Sequence, residues 1–173
     1  VSYLPIPSKV GEMKTKPTQY AVRTLNASGI QPDIIIARSK QALDEKRKEK
    51  LSTFCNISPE RVISAPDVES IYDVPLNFEK DGLGDILCDV LGLKSHPTNL
   101  KDWEAFAQKT KNGGKKLNIA VVGKYFMSGD YVLSDVYISV IESLKHAAAH
   151  QNVGVKLSYL DSEEKSSEPL LKK

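Results

Sequence analysis

Cysteine is scarce. Only Cys55 and Cys88 occur in 173 residues. Neither belongs to a Cys-x-x-Cys pair or a Cys/His cluster, which excludes a disulfide framework and a thiolate zinc site. Two free thiols fit a reducing compartment, so a cytoplasmic protein is expected. Aromatic residues make up only 7%, with Trp103 the single tryptophan. No apolar run approaches the roughly 18 residues of a spanning helix, and nothing reads as a charged-then-apolar signal segment, so no membrane is expected as a partner. Neither sign of charge dominates: 24 basic and 22 acidic residues leave +2. Without a global basic field, nucleic acid is not an expected partner either.

Two chemical signatures are also missing. Gly123-Lys124 is not a phosphate loop, because the glycine that should precede it by five residues is absent. His146 and His150 lie four apart on a helical stretch, but no third ligand accompanies them, so no metal site is expected here. What remains is an ordinary globular composition, 40% hydrophobic and 27% charged.

The most informative stretch is Gly11-Glu12-Met13-Lys14-Thr15-Lys16-Pro17-Thr18-Gln19. It follows a short strand candidate over residues 1–7 and opens a helix expected over Thr18 to Ser28, with Ala21, Val22 and Leu25 on one face. Pro17 suits the first helical turn, where its missing N–H costs nothing. The loop therefore directs Lys14, Lys16, two hydroxyls and the Gln19 amide towards a helix N-terminus, a place that attracts phosphate. The same residues also make an ordinary solvated turn.

Gly29 is the expected helix stop. Asp33 to Ala37 reads as a strand buried on both faces, completing a strand–helix–strand unit. Arg38 leaves that strand at its carboxyl end, where open α/β sheets bind ligands. A charged helix is expected over Asp44 to Phe54 and a third strand over Arg61 to Ser64. Pro66-Asp67-Val68 follows, with Asp67 a candidate N-cap for a short helix over Val68 to Tyr72. Leu76 to Leu91 carries apolar residues at helical spacing. Another amphipathic helix begins after Asn99, its expected N-cap. Asn112-Gly113-Gly114-Lys115-Lys116 breaks all periodicity and reads as a linker between two domains, 1–111 and 117–173. Beyond it come a strand over Leu117 to Gly123, a helix over Ser134 to His150 and a strand over Val155 to Leu160. Residues 126–133 read as a surface loop or small hairpin that could touch the first domain.

Gly-Glu-Met-Lys-Thr-Lys-Pro-Thr-Gln closely resembles a signature of the CTP synthase family, glutamine-dependent amidoligases that convert UTP to CTP. The family usually has His where Tyr20 stands. Three further stretches resemble it in the same order: Lys50-Leu51-Ser52-Thr53-Phe54-Cys55, Pro66 to Pro75, and Ile119 to Tyr125 with Asp135 to His146.

The resemblance implies that Lys14, Thr15, Lys16, Pro17, Thr18, Gln19 and Lys50 bind UTP, or CTP as feedback inhibitor. It implies that Arg38, Pro66, Asp67 and Val68 hold ATP. The implied fold is α/β: a parallel-sheet, P-loop-NTPase-like amidoligase portion, then the first βαβ unit of a flavodoxin-like glutaminase. Magnesium, glutamine, GTP as allosteric effector and a homotetramer are implied partners of the intact enzyme. The magnesium ligands, the phosphate loop and the glutaminase nucleophile are expected outside these residues. No catalytic residue is therefore assigned, and the chain alone is expected to be inactive. Two alternatives stand beside this reading: a non-catalytic nucleotide-binding or oligomerising module, and a dethiobiotin-synthetase-like ligase.

Overall fold

The computed structural model describes residues 1–128, 131–132 and 135–162, and the chain divides into two compact units, Val1–Leu100 and Lys101–Lys173. In the first unit, β1 (Ser2–Tyr3), β2 (Ile35–Ser39) and β3 (Val62–Pro66) form a parallel sheet in that order. Helix α1 (Lys16–Ala27) joins β1 to β2, and α2 (Glu45–Cys55) joins β2 to β3. Along β2, Ile35, Ala37 and Ser39 are buried in alternation, the period of two that a strand imposes. Leu4, Met13, Val22, Leu51, Cys55 and Val62 pack with Ile35 and Ala37 into one core.

Several boundaries differ from expectation for identifiable reasons. The first strand pairs over only two residues, Ser2 with Ala37 and Tyr3 with Arg38. Leu4 N still donates to Arg38 O at 2.8 Å, but Pro5 and Pro7 have no N–H with which to extend the ladder. Helix α1 starts two residues early because Pro17 occupies its first turn. It stops as expected, with Gly29 at φ +80°. The apolar 76–91 stretch is two helices, α3 (Val74–Lys80) and α4 (Leu83–Val90), broken where Gly82 takes φ +69°. The break frees Asp81, whose Oδ2 accepts from Ser64 N of β3 at 3.0 Å. The helix expected over Val68 to Tyr72 is one 3-10 turn, Ile71–Asp73, capped by the Ser70 side chain. Asp67 is not its N-cap, because its carboxylate is taken by Arg38.

The second unit holds α5 (Lys101–Lys111), β4 (Lys116–Gly123), β5 (Met127–Ser128), β6 (Tyr131–Val132), α6 (Ile138–His150) and β7 (Gly154–Asp161). Strands β4 and β7 pair in parallel along all eight residues, around α6. Strands β5 and β6 make a small antiparallel hairpin, within the stretch read as a loop or hairpin. Helix α6 begins four residues later than expected, because Tyr137 is diverted: its hydroxyl accepts from Lys124 N at 3.0 Å, and its ring packs on buried Phe126 with centroids 4.6 Å apart. Gly123 admits these rings, since a Cβ there would lie 2.6 Å from Tyr137.

The stretch 112–116, read as a linker, is tied to the end of α6. Gly114 N donates to Asn152 O at 3.3 Å, and Gly154 N donates to Lys115 O at 3.2 Å. A Cβ on Gly113 would come within 2.6 Å of Val153 O. The two compact units divide between Leu100 and Lys101, after a stretch of exposed residues with no regular structure over 93–99.

Candidate functional site

The Gly11–Gln19 loop is anchored by alternate residues. Met13, Thr15 and Thr18 are buried, while Glu12 and Lys16 are exposed and Lys14 is half-buried. Lys14 N donates to Pro5 O at 2.9 Å, which fixes the loop backbone at the start of this alternation. On α2, Leu51 and Cys55 point to the core. Helical spacing puts Lys46, Arg47 and Lys50 together on another face.

These two elements enclose a cleft of about 280 Å³, lined by Glu12, Met13, Lys14, Thr15, Lys16, Lys46, Arg47 and Lys50. Five cationic side chains therefore face one carboxylate. The volume lies just below the usual range of ligand sites, roughly 300–1,000 Å³.

Arg47 ties the two walls together. Its Nη2 donates to Glu12 Oε1 at 3.0 Å and its Nε to Met13 O at 3.4 Å, and Nη1 also engages Asp44 Oδ2. Asp44 caps α2 by accepting from Arg47 N at 2.8 Å. That backbone bond is the main reason the Asp44 carboxyl titrates below its ordinary value of 3.8, with Arg47's side chain assisting. Lys14 Nζ donates to Glu12 Oε2 at 2.6 Å. This contact, then the charges of Lys14, Arg47 and Lys50, holds the Glu12 carboxyl below the usual glutamate range. Among the described residues, Lys16, Lys46 and Lys50 have no carboxylate within salt-bridge distance.

Of the residues assigned from the sequence to UTP, Lys14, Thr15, Lys16 and Lys50 line this cleft. Pro17, Thr18 and Gln19 do not. Thr18 is wholly buried, and its hydroxyl is 2.9 Å from Ser2 Oγ, tying α1 to β1. Gln19 Nε2 donates to Thr15 Oγ1 at 3.1 Å, so the amide and that hydroxyl partner each other. The sequence reading missed Glu12, Lys46 and Arg47 as cleft residues. A signal for Lys46 was present, since it precedes Lys50 by one helical turn.

The residues assigned to ATP lie at the carboxyl ends of β2 and β3. Arg38 Nη1 donates to Ala65 O and its Nη2 to Asp67 Oδ1, both at 2.8 Å. Asp67 N donates to Ser39 O at 2.9 Å. Pro66 ends β3, and Val68 follows half-buried. Among the described residues no three His, Cys, Asp or Glu side chains gather into a metal site. His146 instead makes an edge contact with the Phe106 ring at 5.2 Å. No helix among the described residues is long and apolar enough to cross a membrane.

A sequence profile described as the CTP synthase N-terminus matches residues 1–93, which include the whole basic cleft and the Arg38–Asp67 pair. The chain belongs to the CTP synthase family. Relatives named CTP synthase align along nearly all of it. That of Symbiobacterium thermophilum is 45% identical over 94% of this chain and 29% of its own length. That of Pyrococcus furiosus is 45% identical over 95% and 30%. That of Methanococcus maripaludis is 41% identical over 100% and 32%. The chain thus spans about three tenths of the length of these CTP synthases.

Proposed function

We propose that this chain supplies the pyrimidine-nucleotide site, and part of the ATP site, of an enzyme that makes CTP from UTP, ATP and glutamine in pyrimidine biosynthesis. The supporting observation is that Lys14, Thr15, Lys16 and Lys50 line one cleft with a large cationic excess. A triphosphate carries several negative charges in a compact group. Ammonium groups converging from a loop and a helix supply the point charges that bind such a group.

In this reading the γ-phosphoryl group of ATP passes to the uracil 4-oxygen. Ammonia then forms the new bond at C4, and inorganic phosphate leaves with that oxygen. Magnesium would neutralise phosphate charge during the transfer, with ligands outside the residues described. The residues of this chain position the reactants. Lys16 and Lys50 hold the pyrimidine triphosphate, and Arg38 and Asp67 frame the adenosine nucleotide at the sheet edge, where α/β sheets bind ligands. The glutaminase assignment of the second unit, GTP as effector and a homotetramer belong to the same proposal. The parallel β4–α6–β7 unit supports the glutaminase part, as the start of an α/β layer.

Lysine acylation tests the cleft directly. UTP or CTP at saturation is expected to protect Lys14, Lys16 and Lys50 from acetylation, as read by mass spectrometry, while Lys94 stays reactive. Equal labelling with and without UTP would refute the assignment.

A further inference from the structure

The cleft contains its own anion. Glu12 is the single carboxylate among the side chains lining it, and both of its oxygens are engaged: Oε2 by Lys14 Nζ at 2.6 Å and Oε1 by Arg47 Nη2 at 3.0 Å. Its side chain remains 54% exposed, so a ligand entering the cleft meets it. The loop does not depend on this carboxylate for its course. Met13 and Thr15 are buried beneath it, Lys14 N is bonded to Pro5 O, and Arg47 Nε reaches Met13 O independently. Asp44 caps α2 without Glu12 and engages Arg47 through a separate nitrogen, Nη1.

We propose that Glu12 is a built-in competitor of the ligand: its carboxylate holds Lys14 and Arg47, and a polyphosphate binds by taking Lys14 from it. The inference rests on the reading of this cleft as a triphosphate site. An ammonium group already paired with a carboxylate attracts a phosphate less, and the carboxylate repels the phosphate besides. Glu12 therefore tempers affinity, so that bound nucleotide exchanges readily. A scaffold residue would act in the opposite sense, since removing its charge would loosen the site and weaken binding.

The sign of the effect makes the test decisive. Inorganic triphosphate is titrated calorimetrically into the full chain and its Glu12→Gln variant. At low ionic strength the variant is expected to bind about three- to tenfold more tightly, the scale of losing two exposed charge contacts. The gain should shrink towards unity near 1 M salt, where the screening length is about 3 Å. Equal or weaker binding by a folded Glu12→Gln chain would overturn the proposal. A second measurement needs no variant. Carboxyl NMR of the unmutated chain should show the Glu12 titration midpoint rising when triphosphate saturates the cleft, because Lys14 has left it. An unmoved midpoint would also overturn it. UTP separates this inference from the functional reading. If Glu12→Gln gains triphosphate affinity but UTP binds no better than inorganic triphosphate, the pyrimidine reading fails and the competitor role stands. If UTP protects the three lysines while Glu12→Gln gains nothing, only the competitor role fails.

Discussion

Arg38 and Asp67, 29 positions apart in the chain, meet at 2.8 Å where β2 and β3 end. The parallel register favours the meeting: Arg38 faces Ala65, and Asp67, two residues further on, falls on the same side of the strand. The pair is 44% and 54% exposed, which leaves it accessible to a ligand and weak as a source of stability.

Asp67→Ala should therefore change stability by no more than about 1 kcal/mol, the range of exposed ion pairs. In the complete enzyme it should raise the ATP requirement roughly tenfold, the scale of one lost charge-assisted hydrogen bond. The UTP requirement should stay within about twofold. Initial-rate kinetics with each nucleotide varied in turn would check both. A larger effect on UTP than on ATP would separate Asp67 from the adenosine site.

Thr18 tests a different kind of assignment. It belongs to the resembling loop, yet it is fully buried against Ser2. Thr18→Val keeps its shape and removes the hydrogen bond, so unfolding in urea should show a loss of about 0.5–1.5 kcal/mol. Triphosphate affinity should change less than about twofold. Strong loss of binding with unchanged stability would mean that the hydroxyl reaches the ligand.

How much of this was legible before the structure depends on which force decides each feature. Local rules carried Pro17 at the helix start and Gly29 at its end, but the second strand, expected to be buried on both faces, buries only alternate residues, Ile35, Ala37 and Ser39. Tertiary competition decided the rest. Asp67 satisfies a local capping rule, but the arginine across the sheet takes its carboxylate. Gly113 and Gly114 look like a flexible hinge, but the missing side chains bring Gly113 against Val153 and Gly154, and Gly114 against Asn152. In the cleft, Lys14 and Lys16 were recognisable from a contiguous motif. Glu12 and Arg47 were not, because their meaning comes from contact between two elements 35 positions apart.

The cap on α2 predicts a pH dependence. Asp44's carboxyl is depressed below its ordinary 3.8 in the folded chain. Its contribution is thus present above that value and is lost as pH falls through the folded one. Asp44→Ala should cost about 1 kcal/mol near neutrality, a typical N-cap loss, and the difference from the unmutated chain should narrow in acid. Asp44→Asn keeps an acceptor for Arg47 N and should recover part of the loss. Urea unfolding across the acid range measures both. A gap that widens as pH falls would contradict the assigned cap.

A lysine-lined cleft that holds the pyrimidine triphosphate must lose affinity when one of its charges is removed. Lys16→Met in the complete enzyme tests it most directly, because methionine keeps much of the apolar stem while removing the charge. The UTP requirement and the CTP concentration for half-inhibition should rise together by about ten- to a hundredfold, as expected for loss of a charge-assisted contact, while the ATP requirement moves within about twofold. UTP and CTP affinities within about twofold of the unmutated enzyme would contradict the assignment and leave the loop a solvated turn.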